Sequence, residues 1–342
     1  QIAHMTTASA PLLQKRLKEF KEQGVEWVVL ETTSHALAQH RVWGIPYQVA
    51  VMTNVTHEHL DYHRTFEAYL DAKQQLFRQA ARNGLKFGVV NADDPNAKKF
   101  IDSVPESISY GLKTGQLTAS EVSLTPDGST FSAEIAGDRY DIHCNIPGEF
   151  NVYNSLAAIA VGRKLGLTKV QIEKGITALK GVEGRMAVID EGQPFTVIVD
   201  FAHTPDSFER LLRDVRKTTK GKLIVLFGSP GRRDEAKRAI QGEIAGFYAD
   251  SMILTEEDDR DVDGNEILNQ IAAGAEKSGK IKDKDLFLIL DRSEAIQAAI
   301  ARAKYKDDTV VLLGKGHEKT IERADGDHPW DEVATVKKAL KN

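Results

Sequence analysis

Short apolar runs alternate with stretches of helical periodicity along almost the whole chain, and that alternation restricts the fold more than any single residue does. Strand, helix, strand is the repeating unit of a parallel sheet covered by helices. In the first half, Glu26–Thr32, Tyr47–Asn54 and Lys86–Asn91 read as strands, and Pro11–Gln23, Phe66–Arg82, Asn151–Leu165 and Val170–Leu179 as helices. Between about Leu117 and Pro147 the period shortens. Alternating runs around an Asp127-Gly128 turn and a Gly137-Asp138 turn predict an antiparallel hairpin unit that extends the first domain's sheet.

Gly181-Val182-Glu183-Gly184-Arg185 interrupts the helical pattern, and a second series begins after it, so two domains are expected, at 1–181 and 182–342. The second series has strands at Thr196–Phe201, Lys222–Phe227, Ser251–Thr255, Leu286–Leu290 and Thr309–Leu313. Its helices fall at Asp206–Thr218, Asp234–Phe247, Asn265–Lys277 and Ser293–Ala303. This is the pattern of an open, Rossmann-like α/β sheet, whose ligands sit beyond the carboxyl ends of its strands.

Composition narrows the function. The 342 residues include 45 Lys and Arg against 50 Asp and Glu, a formal net charge of −5. No segment has the clustered cations that counterion release at a phosphate backbone requires, so no nucleic-acid partner is expected. Cys144 is the only cysteine, which excludes an intramolecular disulfide and a CxxC pair and suits a cytoplasmic location. No apolar run approaches bilayer thickness, so no membrane role is expected. The start, Gln1-Ile2-Ala3-His4-Met5, lacks both a leader pattern and an initiator Met, and reads as a cut.

Two polar clusters follow strand candidates: Glu31-Thr32-Thr33-Ser34-His35, and Asn54 to His63 with His57, Glu58, His59 and Asp61. In a parallel sheet both would lie at one edge, where carboxylate and imidazole can hold a divalent metal and orient phosphate or hydroxyl groups. Singly, such residues are turn and capping residues. Lys73 shares helical spacing with Phe66, Tyr69, Leu70, Leu76 and Phe77, which places a cation in the apolar stripe expected to face the core. Desolvation favours the neutral amine, which can add carbon dioxide to give an anionic carbamate. The alternative is a lysine that reaches the helix edge or pairs with Glu31.

The chain contains neither G-x-x-x-x-G-K-[ST] nor G-x-G-x-x-G. Two glycine turns nevertheless follow strands, Gly228-Ser229-Pro230-Gly231-Arg232-Arg233-Asp234 and Gly314-Lys315-Gly316-His317-Glu318. Such a turn can receive an anion, and Arg232 or Arg233 can clamp a carboxylate. The acidic run Glu256-Glu257-Asp258-Asp259-Arg260-Asp261 follows the third strand of this series and suits a zwitterionic or cationic small molecule. Cys144, with no base near it in sequence, reads as packing.

Taken together, the strings Glu31–Arg41, Asn54–His63, Tyr69–Phe77, Gly148–Ala158, Gly184-Arg185-Met186, Asp200 to Asp206, Gly231–Arg238 and Gly314–Glu318 resemble the Mur ligases. The likeness runs over the whole chain, and it is closest to the branch that adds the third residue of the peptidoglycan stem peptide. It implies ATP-dependent phosphorylation of the terminal carboxylate of a UDP-MurNAc-dipeptide, then attack by the amine of a diamino acid. By this resemblance Thr6, Thr7, Thr33, Gln39 and Arg41 bind that substrate, Thr33 standing where serine is usual. Glu31, His59 and Lys73 are associated with Mg²⁺ and catalysis, Lys73 as N6-carboxylysine. Asn151, Asn154, Arg185, Asp200 and His203 match ATP positions. Arg233, Glu257, Asp258, Asp259, Arg260, Gly314 and Glu318 match amino-acid positions. Family members that use meso-diaminopimelate carry Asp-Asn-Pro-Arg where this chain has Glu257-Asp258-Asp259-Arg260. The retained arginine tilts the expectation to diaminopimelate, while the added acids leave L-lysine open.

The resemblance also implies an upstream UDP-sugar domain and P-loop, so the expected fold is an incomplete P-loop-type central ATPase domain followed by the Rossmann-like amino-acid-binding domain. Such a fragment is expected to be a monomer that binds ATP weakly or not at all and does not turn over alone. Three other readings stand beside this one. They are a non-catalytic amino-acid-binding homologue, a metal hydrolase built on His57, His59, Asp61 and His63, and a related ligase acting on folate or making cyanophycin.

Overall fold

The computed structural model describes residues 6–56 and 59–341, with backbone alone at 60 and 61. Two compact units form: residues 6–120, 132–141 and 153–173 in the first, and 121–131, 142–152 and 174–341 in the second. The chain begins with helices α1 (Ala10–Glu22) and α2 (Ser34–Ala38), strand β1 (Val49–Met52), and helices α3 (Leu60–His63) and α4 (Phe66–Ala80). Then come β2 (Phe87–Asn91), α5 (Ala97–Ile101), β3 (Glu106–Gly111), β4 (Leu117–Thr125), β5 (Gly128–Ile135), β6 (Asp138–Cys144), α6 (Glu149–Lys164) and α7 (Lys169–Ala178).

One sheet runs β1-β2-β3-β4-β5-β6, with β1 to β4 paired in parallel and the rest joined by turns at Pro126-Asp127 and Ala136-Gly137, each one residue before the expected Asp127-Gly128 and Gly137-Asp138. Ala136 and Gly137 both have positive φ, as a tight two-residue hairpin turn requires. Thr65 caps α4 by accepting from Ala68 N, and Tyr69, Leu70 and Phe77 close over Met52 and Val90.

One expected strand is absent. Residues 25–33 form no ladder, and Trp27 and Val29 are 63% and 101% exposed. The apolar run has strand-like composition, but a strand exists only by pairing. Among the described residues β1 is the sheet's edge and its only ladder partner is β2.

The second unit continues with β7 (Ala187–Val188), β8 (Thr196–Val199), α8 (Pro205–Thr218), β9 (Leu223–Phe227), α9 (Ala236–Tyr248), β10 (Ser251–Leu254) and α10 (Gly264–Lys277). It ends with β11 (Leu286–Leu288), α11 (Arg292–Ile300), β12 (Thr309–Leu312), β13 (Thr320–Arg323), β14 (Gly326–Pro329) and α12 (Glu332–Leu340). Its sheet order is β11-β10-β9-β12-β8-β7, parallel except for β7 at the edge.

The strand period of two sorts the apolar side chains into two cores. Leu223, Val225 and Phe227 pack with Phe208, Leu212 and Ile271 of α8 and α10. Ile224 and Leu226 face Ile296 of α11 and Val336 of α12. Each such buried side chain contributes about 1.5–3 kcal/mol. These two cores fix the carboxyl ends of β8, β9, β10 and β12, from which the candidate loops emerge. Among the described residues, no helix is long and apolar enough to cross a membrane.

Candidate functional site

In the first unit, Thr33 caps α2 by accepting from Ala36 N at 3.1 Å. The bend brings Thr7 alongside, its hydroxyl donating to Glu31 O at 2.9 Å and accepting from Thr33 N at 3.1 Å. Arg41 donates from Nη1 to Thr7 O at 3.0 Å and from Nε to Gln39 Oε1 at 2.8 Å, and Gln39 Nε2 donates to the Tyr62 hydroxyl at 3.3 Å. Thr7, Thr33, Gln39 and Arg41 therefore form one network, with Thr6 exposed beside it.

The two polar clusters meet, although not at one sheet edge as expected, since residues 25–33 form no strand. His35 lies 4.3 Å from Tyr62 and 4.7 Å from His59, ring centre to ring centre, and the His59 ring is 6.2 Å from Tyr69. Lys73 Nζ approaches the same Tyr69 ring at 5.1 Å. Lys73 is half-buried, not enclosed in the core as its place in the stripe suggested, because its end of the stripe lies beside this polar cluster. His59 has φ 56°, the left-handed region, so its backbone holds the ring in place at some conformational cost.

Glu31 is exposed. Glu31, His59 and Lys73 supply one carboxylate, one imidazole and one amine. Magnesium prefers hard oxygen ligands, which in this set would come from Glu31 and from Lys73 once its amine carries a carboxyl group, with the His59 imidazole a softer donor. For the hydrolase reading, His63 Nε2 is engaged with Ser34 Oγ at 3.0 Å, and His57 and the Asp61 side chain lie outside the described residues. The described residues contain no group of three His, Cys, Asp or Glu placed to hold a metal.

In the second unit, Asp200 directly follows β8 and accepts from Met186 N and Ala202 N, both at 2.7 Å. Burial pushes its carboxyl upward, and these two donors oppose the shift. The bonds fold residues 184–186 over Phe201. The Arg185 guanidinium stacks 4.7 Å above that ring, with His203 at 4.8 Å and His317 at 5.1 Å. A side chain at Gly184, φ 67°, would meet His317 N at 2.1 Å, so only glycine lets these two loops touch. An aromatic face ringed by a guanidinium and two imidazoles can receive a base and its phosphates. Asn151 is buried in α6 and donates to Pro147 O at 2.7 Å, whereas Asn154, of the first unit, is exposed. The sequence reading missed Phe201 and His317, although both lie inside motifs it singled out.

The loops after β9, β10 and β12 form the other cluster. Gly231 N donates to Asp258 O at 2.9 Å. Lys315, 1% exposed, pairs with Asp258 at 2.8 Å and Glu318 at 2.7 Å. Arg260 donates to Glu322 Oε2 at 2.8 Å and to Gly231 O. Arg232 is paired with Asp261, and Arg233 is exposed. Arg292, fully buried, clamps the cluster from below by donating to Glu256 O and Leu313 O, each at 2.9 Å. Glu322, Arg323 and Arg292 carry no signal in local sequence, because their partners are 21 to 67 residues away.

Burial, reinforced by Glu256 and Glu257, pushes Asp259 up to about 6. A carboxyl raised on folding stabilises the fold below its unfolded pKa, and that contribution is lost as pH rises through the folded value. Asp259→Asn is therefore expected to raise the melting temperature at pH 7.5 and to leave it nearly unchanged at pH 4. Equal shifts at both values would show that the strain is not electrostatic.

Residues 2–162 match the Mur ligase middle domain, and residues 184–316 match the Mur ligase, glutamate ligase domain. The chain belongs to the Mur ligase family. It is 42% identical to the UDP-N-acetylmuramyl-tripeptide synthetase of Roseiflexus sp., over 99% of this chain and 69% of that protein. It is 39% identical to the UDP-N-acetylmuramoyl-L-alanyl-D-glutamate--2,6-diaminopimelate ligase of Bacillus cereus, over 98% and 68%. A solved structure of a ligase with this second name superposes with a TM-score of 0.66 at 31% identity, covering 98% of this chain and 68% of that one. Folylpolyglutamate synthase of Mycobacterium tuberculosis shares the fold, with a TM-score of 0.64 at 16% identity over 87% of this chain and 64% of that one.

Proposed function

We propose that the chain serves an ATP-dependent ligase that joins a diamino acid, meso-diaminopimelate or L-lysine, to UDP-MurNAc-L-Ala-D-Glu in peptidoglycan synthesis. We assign residues 1–181 to the central ATPase domain and 182–342 to the amino-acid-binding domain of a cytoplasmic monomer. The observation that carries the reading is the joined network of Thr7, Thr33, Gln39 and Arg41 beside the His35, His59 and Lys73 cluster, in a chain similar over its length to ligases of this name.

Arg41, with Gln39 and the threonine hydroxyls of Thr6, Thr7 and Thr33, orients the acceptor peptide's terminal carboxylate. One carboxylate oxygen bonds to the γ-phosphorus of ATP as the β–γ bridge breaks, giving an acyl phosphate and ADP. Asn151 and Asn154 lie toward the base, Asp200 and His203 toward ribose and adenine, and Arg185 toward the phosphates. Arg233, the Glu257–Arg260 loop, Gly314 and Glu318 present the amine to the acyl carbon. The tetrahedral adduct then expels phosphate and loses a proton, leaving the amide. Glu31, His59 and N6-carboxylated Lys73 would hold Mg²⁺, which neutralises charge on the transferred phosphoryl group.

The test is phosphate release by the full product of the gene. Release is expected to require both UDP-MurNAc-dipeptide and a diamino acid. Release independent of either substrate would overturn the proposal.

A further inference from the structure

The ladder that joins β1 to β2 ends at Met52 opposite Val90, and the chain then leaves β1 as irregular backbone on its way to His59. Irregular backbone at the carboxyl edge of a sheet keeps one course only when other groups bond its N–H and C=O. Among the described residues, three side chains do so here. Tyr110 Oη donates to Met52 O at 3.2 Å, Asn91 Nδ2 donates to Thr53 O at 2.7 Å, and Asp94 Oδ2 accepts from Val55 N at 2.7 Å. All three residues are buried. Burial also pushes the Tyr110 hydroxyl up, so it stays protonated and able to donate.

Asp93, the immediate neighbour of Asp94, turns to a different loop. It accepts from Leu112 N, Lys113 N and Thr114 N at 2.8, 3.0 and 2.9 Å and from the Tyr153 hydroxyl at 2.8 Å, and so fixes the turn after β3. Two adjacent carboxylates of the same chemistry therefore hold two loops, and the one held by Asp94 leads to the polar cluster. That loop has an exacting end. His59 has φ 56°, and its ring stands 4.7 Å from that of His35. A side chain in the left-handed region persists only where the structure on both sides dictates its backbone. Helix α3 supplies the later side, because Tyr62 N and His63 N donate to His59 O at 3.2 and 2.9 Å. The bonded exit of β1, at residues 52–55, supplies the earlier one.

Resting on the ligase reading, we propose that Asn91, Asp94 and Tyr110 are positioning residues for ligation: they fix the exit of β1 and through it the place of the His59 ring beside His35, without touching substrate themselves. Asp93, which makes more hydrogen bonds than any of the three, serves stability alone.

Two measurements test this together: NMR of the chain labelled at histidine, and kinetics of the full product of the gene well below every variant's unfolding midpoint, where lost stability alone slows none of them. Asp94→Ala is expected to abolish the nuclear Overhauser contact between the His35 and His59 rings. It is also expected to lower kcat about 10- to 100-fold, the cost of moving a group by about 1 Å at a reacting centre, with KM for the diamino acid unchanged. Tyr110→Phe removes one donor and keeps the ring in the core, and is expected to weaken the same contact and lower kcat about threefold, the size of one ordinary hydrogen bond. Asp93→Ala is expected to lower the unfolding midpoint at least as far as Asp94→Ala while keeping the ring contact and kcat of the parent. A ring contact retained in both Asp94→Ala and Tyr110→Phe, or an Asp93→Ala protein that loses kcat as steeply as Asp94→Ala, would overturn the inference and leave the ligase reading standing. A parent protein that joins no diamino acid would overturn both.

Discussion

Replacing Lys73 with alanine is expected to lower ligation by the full gene product about 100- to 1,000-fold, the usual loss when one preorganised electrostatic group is taken from a phosphoryl or acyl transfer site. Alanine is the best helix former, and Lys73 is only half-buried in α4, so the variant keeps its fold. The informative control is carbon dioxide. If the side chain acts as a carbamate, stripping bicarbonate lowers parent activity reversibly, while a Lys73→Glu protein with any residual activity ignores it. A lysine that merely lies along the Tyr69 ring predicts no response to bicarbonate.

The second large effect is on stability. Arg292 and Glu332 are 0% and 1% exposed and joined at 2.7 Å, and Trp330 Nε1 donates to Glu332 Oε2 at 2.7 Å. Glu332→Ala strands a buried guanidinium and is expected to cost about 3–5 kcal/mol of unfolding free energy, read as a fall in denaturant midpoint. The double replacement Arg292→Met with Glu332→Leu removes both charges and is expected to cost far less. A loss below about 1 kcal/mol for Glu332→Ala would mean that water reaches the pair. Because Arg292 also holds the carbonyls before Glu257 and Gly314, Glu332→Ala should weaken amino-acid binding before it unfolds the protein.

What was legible in the sequence was local. The apolar runs of β2, β8, β9, β10 and β12 announce themselves because both faces of each are buried, and Gly137 marks its hairpin because few residues accept positive φ, although the turn begins one residue before the expected Gly137-Asp138. The strand β3, Glu106–Gly111, was missed because its half-buried polar face interrupts any apolar run, and the Thr320–Pro329 hairpin because it is mostly polar. Residues 25–33 failed the other way, since strand-like composition cannot supply a neighbouring strand. In the site, Thr7, Thr33, Gln39 and Arg41 converge on one hydrogen-bonded network. Arg260 is the instructive exception. Its motif suggested a carboxylate clamp, yet its availability is decided by Glu322, 62 residues further on.

The acyl-phosphate step is read most directly from the fate of the acceptor's carboxylate oxygen. When UDP-MurNAc-L-Ala-D-Glu labelled with ¹⁸O in its terminal carboxylate is ligated, the released phosphate should carry one ¹⁸O atom, transferred as the acyl phosphate breaks. Phosphate without the label would contradict the account.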